Sequence, residues 1–548
     1  MTQPYHIGLI ACSPEQSPMA YPLGALCIQT ALVTHSTLAP QIQVELKHYI
    51  GDTDDPIEAA QAIVRQHIPL VGLSLYLYNR NWFDQFIDHL LTHAPDTTVF
   101  AGGPEAFAHA EDFIQRGLSF IILGEGEESV CTAVEQILHG KQVSGAGIYT
   151  GDSDRLIPAY PSDLSALNSV LLTHTVSVDD YQGVLWEMTR GCPYHCAFCF
   201  ESRGNRQVRS YPMDRITQEL ELLIEHHVEH IFVLDPTFNL NRERTIAILD
   251  LLRNRVPQDM HFTFEVRAEL LDEQIAYLFS TFHSSLQIGL QSSKPSVLMG
   301  ISRSFQADRF SQKIALLNQY GVVFGLDLII GLPQDTLQSF MESLNFAVSC
   351  KPSNIDIFVL AVLPGTQLAE DAQSLQLHYL PESPYLLQSS PSMHADDIAA
   401  AIRLKEACDV LYTAGHAVMW FHALCDVLQC TASEVFSRFA DYTETYPVSD
   451  DQDIFSVQEQ FVRNQCTAPS LYMLLPIILS YMELHQGISY LQETGDPPVV
   501  HLWYTPDELA ELDSIDVRTF HNRFTASDTT VSYLVLSDDG TVYVEPLV

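Results

Sequence analysis

The 548-residue chain, 47% hydrophobic and 10% aromatic, is too long for one ordinary core and too apolar for disorder, so roughly two to four domains are expected. Its formal net charge of -41 reflects 27 Lys and Arg against 68 Asp and Glu. That balance reads as a solubility adaptation and argues against nucleic acid or an anionic membrane as partner, since both need basic surface.

From Met1 the chain runs directly into a strand-like segment, without the basic and apolar regions of a secretory signal. No run of about 18 apolar residues suggests a membrane span, so a cytoplasmic location is expected. The 11 cysteines are odd in number and mostly isolated, unlike a disulfide framework.

Residues 1–150 alternate strand and helix signals. Strands are predicted at Ile7–Cys12, Ile42–Tyr49, Leu70–Leu77, Thr98–Gly102 and Phe120–Leu123. Helices are predicted at Leu23–Thr34, Ile57–Gln66, Asn81–Thr92 and Ala106–Arg116. Such alternation predicts an α/β, doubly wound (Rossmann/flavodoxin-like) domain whose ligand crevice lies at the strand C-terminal ends. Turn-rich text stands there: Cys12-Ser-Pro-Glu-Gln-Ser-Pro, Ala101-Gly-Gly-Pro-Glu and Leu123-Gly-Glu-Gly-Glu-Glu-Ser. One Gly-rich turn is an ordinary connection; three together predict a ligand-binding domain.

Residues 151–182, with Gly151-Asp-Ser-Asp and Ala159-Tyr-Pro-Ser-Asp, read as a linker. Residues 183–375 form a second αβ series. Strands are predicted at Val184–Thr189, His230–Leu234, His261–Val266, Leu286–Leu290, Val323–Ile330 and Ile355–Val362. Helices are predicted at Asp214–Glu225, Arg242–Arg253, Asp272–Thr281, Ala307–Tyr320 and Leu337–Ser349. This succession predicts a partial (β/α)6 TIM-like barrel with its chemistry at the strand C-termini. Residues 376–548 read as mainly helical, over Asp396–Cys430, Ala432–Tyr442 and Ser470–His485, ending in a hairpin of Val531–Leu536 and Thr541–Pro546 around Asp538-Asp-Gly.

One cysteine group is clustered. Glu187-Met-Thr-Arg-Gly-Cys192-Pro-Tyr-His-Cys196-Ala-Phe-Cys199-Phe200 follows the first strand of the second series. Iron–sulfur clusters usually take four cysteines, and the next one is Cys350, so one iron would keep an open position. The alternative is zinc, which normally completes four protein ligands and would need His195 from within the loop.

The C-x3-C-x-Phe-C loop after a first barrel strand resembles the signature of the radical S-adenosylmethionine (SAM) superfamily. The resemblance implies that Cys192, Cys196 and Cys199 hold a [4Fe-4S] cluster and that SAM chelates the open iron. Electron transfer would then cleave SAM to methionine and a 5′-deoxyadenosyl radical. It implies further that Phe198 lies against the adenine and that Asp235, closing the second strand, meets the SAM amino end. Glu265 and Arg267 resemble the family's acidic-x-Arg strand end. Gln291 and Ser292 stand where polar groups meet the ribose, with Gln291 at a position where many relatives carry Glu. Arg303 matches an arginine that pairs with the SAM carboxylate, and Gly331 a turn whose backbone approaches adenine. This resemblance covers about residues 183–370.

Residues 1–150 resemble the cobalamin-binding domain of cobalamin-dependent radical SAM enzymes. The matching text is Tyr21-Pro22-Leu23-Gly24-Ala-Leu, Gly72-Leu-Ser74, Ala101-Gly102-Gly103-Pro104 and Gly124-Glu125-Gly126-Glu127. The resemblance implies that these loops face the corrin and its nucleotide tail. One departure stands out: the Asp-x-His-x-x-Gly motif that ligates cobalt in mutases is absent, since Asp52-Thr-Asp-Asp lacks the His. Cobalamin without a protein ligand, or a degenerate domain, are the two readings. Tyr76, Tyr78 and Trp82 are either corrin neighbours or packing residues, and Cys12 reads as a buried, inert thiol.

The implied function is a cobalamin-dependent radical SAM methyltransferase, which methylates an unactivated carbon by way of a 5′-deoxyadenosyl radical and methylcobalamin. The alternatives are a radical rearrangement, cyclisation or ring contraction without net methyl transfer, and a non-catalytic SAM or cobalamin sensor. The methylthiotransferase reading is weaker, since residues 1–150 show no matching three-cysteine set. The expected partners are a small-molecule or peptide substrate and an electron donor such as flavodoxin or ferredoxin. Trp420, His422 and His416, near Cys425, read as a packed helical core rather than a substrate wall.

Overall fold

A computed structural model describes residues 4–152, 155–175, 177–201, 205–448, 453–538 and 541–547. The chain divides into two compact units. The first comprises Met1–Leu286, Ile301–Arg303 and Ala361–Gln388; the second comprises Gln287–Gly300, Ser304–Leu360 and Ser389–Val548.

The first unit opens with β1 (Tyr5–Ser13), α1 (Leu23–Thr34), β2 (Ile42–Ile50), α2 (Pro56–Gln66), β3 (Leu70–Ser74) and α3 (Arg80–His93). It continues through β4 (Thr98–Gly102), α4 (Pro104–Ala108), α5 (Ala110–Arg116), β5 (Phe120–Ile122), α6 (Glu127–Leu138) and β6 (Ile148–Tyr149). The sheet order is β2-β1-β3-β4-β5-β6, with β6 antiparallel to β5. From Ile7 to Ser13 every residue of β1 is buried, as a parallel strand covered on both faces requires. Two apolar clusters cover those faces. One is built on Trp82, Phe83, Phe86 and Ile87 of α3 and the other on Leu32 of α1 and Val130 and Val134 of α6. The order reverses between β1 and β3, which opens a crevice at their C-terminal ends.

Several expectations need correction here. The strand predicted over Leu70–Leu77 stops at Ser74, because Leu77–Asn79 turn into a 3-10 segment. The helix predicted over Ala106–Arg116 breaks at His109, which leaves the helical region and bonds the Tyr385 hydroxyl at 2.9 Å. Helix α6 and strand β6 were not among the predicted elements. Within the predicted linker Ala159 bridges to Gly124, and short 3-10 turns occupy Leu164–Ala166 and Val178–Asp180. Its Ser153 and Asp154 lie outside the described residues.

The first unit continues with β7 (Gly183–Trp186), β8 (Thr189–Arg190), β9 (Arg209–Ser210), α7 (Met213–Glu225), β10 (His230–Val233), α8 (Arg242–Arg255), β11 (His261–Val266) and α9 (Glu273–Phe279). Strand β10 pairs in parallel with β7 and with β11. Along β11 buried Phe262, Phe264 and Val266 alternate with His261, Thr263 and Glu265, so the period of two turns Glu265 away from the packed face. Strand β12 (Ser284–Gln291) carries the chain into the second unit. There follow α10 (Pro295–Gly300), α11 (Ala307–Tyr320), β13 (Val323–Ile330), α12 (Leu337–Ser349) and β14 (Asn354–Val359), with β13 and β14 parallel.

The rest of the second unit is mainly helical, ending in an antiparallel sheet of Val499–Leu502, Val531–Asp538 and Thr541–Pro546. The hairpin residues Asp539 and Gly540 lie outside the described residues, and Val499–Leu502 is a strand that the sequence reading lacked. The helix predicted over Asp396–Cys430 is broken into Ala395–Cys408, a π turn at Asp409–Thr413, a 3-10 turn at Ala417–Met419 and Phe421–Leu428. The cause is Gln458, whose amide donates to the carbonyls of Leu411 and Gly415 at 2.9 and 2.8 Å, a side chain inserted into the helical ladder. The predicted Ser470–His485 helix runs from Leu475 to Thr494, and helices at Ile454–Gln465 and Val517–Arg523 had not been expected. Trp420 is fully buried, His422 meets the Leu512 carbonyl at 3.3 Å and His416 pairs with Glu493 at 2.9 Å. Among the described residues no helix is long and apolar enough to cross a membrane.

Candidate functional site

The cysteine loop is held at its root. Strand β7 ends at Trp186, and the next backbone N–H groups, of Met188 and Thr189, both donate to Asp235 Oδ1 at 2.8 Å. Asp235 follows β10 and is 1% exposed; burial pushes its carboxyl up to about 6, against those hydrogen bonds and the Arg244 charge. Arg244 in turn donates to the carbonyls of Met188 (3.2 Å) and Tyr211 (2.9 Å), on either side of the loop. The loop is shut by an antiparallel ladder, Thr189 opposite Ser210 and Arg190 opposite Arg209. Gly191 opens it at φ +95°, where a Cβ would stand 2.6 Å from the carbonyls of Asn205 and Gln207, so only glycine fits.

Cys192, Cys196 and Cys199 are partly buried, and His195 is exposed. The Cys199 N–H bonds the Cys196 carbonyl at 3.1 Å, and Ala197 is tied to Ile301 and Leu368 through backbone bonds of 3.1 and 2.8 Å. Burial pushes the Cys192 thiol up, opposed by the Tyr194 N–H and the Arg267 charge. Among the described residues no three His, Cys, Asp or Glu side chains stand close enough to hold a single ion. A multi-iron cluster makes a different demand, one thiolate for each of three irons, and a donor set of three sulfurs is the kind such clusters take.

The residues predicted around SAM fall in both units. In the first, Phe198 is part-buried within the loop, and Glu265 at the end of β11 lines the cavity described next. Arg267 donates to Glu269 from Nε at 3.1 Å and from Nη2 at 2.6 Å, and lies 3.8 Å over the Tyr194 ring. Arg303 acts electrostatically on both Tyr194 and Glu269. Asp235 is committed to the loop backbone, a role that the sequence did not reveal. In the second unit Gln291 adopts φ +66° with its buried Oε1 unpartnered, Ser292 Oγ lies 3.2 Å from Ser343 Oγ, and Gly331 turns at φ +88°.

A cavity of about 630 Å³ lies at the C-terminal edge of the first sheet, wholly within the first unit. All ten residues singled out from the front loops line it: Pro22, Leu23, Gly24, Ser74, Gly102, Gly103, Pro104, Gly124, Glu125 and Gly126. Gly103, at φ +103°, is packed where a Cβ would meet the Leu75 carbonyl at 2.3 Å. Tyr76 and Tyr78 line the cavity too, stacked at 5.2 Å, whereas Trp82 is a core residue. Their loop is fixed by buried Asn79, which donates to the carbonyls of Cys12 (2.9 Å) and Ser74 (3.1 Å) and accepts from Tyr76 N (2.8 Å). Cys12 is 3% exposed, and burial pushes its thiol up to about 12, an inert state.

The far wall was not foreseen. It is formed by Glu187, Thr189, Arg190, Gly191, Phe200 and Glu201, the two ends of the cysteine loop. No histidine is among the described lining residues, and His48 of β2 is engaged with Ser13 Oγ at 2.8 Å.

Residues 186–347 match the Radical SAM superfamily, so the chain carries that domain. It is 23% identical over 363 residues to the cobalamin-dependent radical SAM methyltransferase TokK of Streptomyces tokunonensis, covering 60% of this chain and 52% of that one. The chain spans about half the length of the curated relatives it matches. The fold is shared with TsrM, a radical SAM methyltransferase from Kitasatospora setae solved with cobalamin and a [4Fe-4S] cluster (TM-score 0.57, 16% identity, 69% of this chain and 76% of that one). It is shared also with OxsB, a cobalamin-dependent SAM radical enzyme solved with aqua-cobalamin (TM-score 0.58, 14% identity, 95% of this chain and 84% of that one).

Proposed function

We propose that this chain, which carries a radical SAM domain, is a cobalamin-dependent radical SAM methyltransferase acting on an unactivated carbon. The observation that carries the reading is the single cavity whose one wall is the glycine loops of a doubly wound sheet and whose other wall is the root of the three-cysteine loop. In this reading residues 1–150 bind cobalamin, 151–182 join the domains, 183–375 form the partial (β/α)6 barrel and 376–548 form a helical C-terminal domain.

The residues present fit both groups. Cys192, Cys196 and Cys199 would hold the cluster, leaving one iron for SAM, whose neighbours in the first unit would be Phe198, Asp235, Glu265, Arg267 and Arg303. The glycines at positions 24, 102, 103, 124 and 126 all line the crevice, and at Gly103 and Gly124 a Cβ would meet the backbone carbonyls of Leu75 and Ala159 at 2.3 and 2.4 Å, so these turns can pack tightly at its rim. Bound there, the cluster supplies the electron that cleaves SAM, and cobalamin supplies the methyl group. The chain's own part is to hold the two at fixed separation, exclude water and orient the substrate.

The expected substrate is a small molecule or peptide; TsrM has been solved with tryptophan as substrate. A low-potential donor such as flavodoxin or ferredoxin and a cytoplasmic location complete the proposal. The test is anaerobic turnover of reduced, cobalamin-loaded protein with SAM labelled in its methyl group. Formation of 5′-deoxyadenosine together with labelled methyl on the corrin is expected. SAM cleavage with an unlabelled corrin would point instead to a rearrangement, and the absence of SAM cleavage would leave a binding protein.

A further inference from the structure

We infer that Glu125 is a positioning residue that couples the two cofactor sites, because both arginines at the root of the cysteine loop close on its one carboxylate. The inference rests on the assignment of cluster and corrin proposed above.

Arg190 and Arg209 face each other in the two-residue ladder that shuts the loop. From one strand, Arg209 reaches both oxygens of Glu125, Nη1 to Oε2 at 3.0 Å and Nη2 to Oε1. From the other, Arg190 Nη1 meets Oε2 at 3.1 Å, while its Nη2 and Nε pair with Glu127 and Glu187 at 2.8 Å each. The Arg209 side chain is only 4% exposed, that of Arg190 11% and that of Glu125 16%, so water screens these pairs little.

Glu125 itself is anchored. Its N–H donates to the Ala159 carbonyl at 2.9 Å, and Gly124 beside it turns at φ +83°. The carboxylate therefore projects from a fixed backbone in the loop that lines the crevice, and grips both ends of the segment bearing the thiols. Buried ion pairs are weak evidence for stability as such. What gives this one a function is its place: a carboxylate fixed in the loop that lines the crevice sets the spacing of both ends of the cysteine loop, so a ligand that orders either site favours the ordered form of the other. Two sites joined in this way show a coupling free energy, and the coupling is reciprocal. Cluster loading should tighten cobalamin binding by the factor by which cobalamin stabilises the loaded cluster.

The experiment compares the affinity of the full chain for hydroxocobalamin before and after anaerobic reconstitution with iron and sulfide. In the unaltered protein the loaded form should bind at least about fivefold more tightly, the lower end of ordinary coupling. In Glu125→Gln both forms should still bind, with affinities within about twofold of each other. A merely structural Glu125 would weaken both forms equally and leave the ratio untouched, and that result overturns the inference, as does a ratio of one in the unaltered protein. Should Glu125→Gln not fold, Arg209→Lys keeps the buried charge but loses the two-pronged grip, and the same collapse of the ratio is expected. Failure of the unaltered protein to bind cobalamin in either form would instead refute the assignment of the cavity.

Discussion

Cys196→Ala should lower iron from about four atoms per chain, the content of a [4Fe-4S] cluster, to less than about one. SAM cleavage should fall at least ~1,000-fold, which corresponds to roughly 4 kcal/mol of lost transition-state stabilisation. The middle cysteine is the informative one. Its removal leaves two thiolates, Cys192 and Cys199, at the two ends of the loop. Cobalamin should still bind to the altered protein at high concentration, because the crevice loops are built independently of the thiols. Iron and sulfide analysis, with chromatographic detection of 5′-deoxyadenosine, checks both parts. Unchanged cleavage would remove Cys196 from the cluster.

Asp235→Ala should loosen the same loop without touching a ligand to iron. It strips two buried backbone N–H groups, on Met188 and Thr189, of their acceptor and leaves Arg244 without its nearby carboxylate. An unsatisfied buried donor costs about 1–3 kcal/mol, so the pair should cost roughly 2–5 kcal/mol of local stability. Asp235→Asn keeps an acceptor at Oδ1 and should cost less than about half of that. Amide hydrogen exchange across 186–211 reads the effect directly: rates should rise at least about tenfold in the Ala variant, with the front sheet unaffected. Equal protection in the two variants would mean that the loop root is held by Arg244 and the β8–β9 ladder alone.

The fold was legible wherever a local pattern sets it. Helices α1, α11 and α12 and strands β4, β11 and β13 were placed to the residue, since burial on one face or both writes a period into the sequence. The failures are tertiary. The helical pattern through Asp396–Cys430 is continuous, yet Gln458, distant in sequence, enters the ladder at Leu411 and Gly415. His109 breaks another helix by reaching Tyr385.

The site divides in the same way. The glycine turns were legible as a crevice, and the cavity collects every residue chosen from those turns. Asp235 was legible as a site residue but not as the anchor of the loop, because its partners are backbone N–H groups that carry no residue signature. The Glu125–Arg190–Arg209 clasp had no signal at all. Arg209 sits in a two-residue strand, and its pairing with a front-loop carboxylate exists only once the chain has folded.

The central claim is that one chain holds a crevice for cobalamin against the root of a three-cysteine loop for a cluster. The most direct test is anaerobic purification of the full chain with cobalamin supplied, followed by metal analysis and an absorption spectrum. The account predicts about four irons with matching sulfide and one corrin per chain. A single zinc in place of iron, or an iron-loaded protein that takes up no corrin, would contradict it.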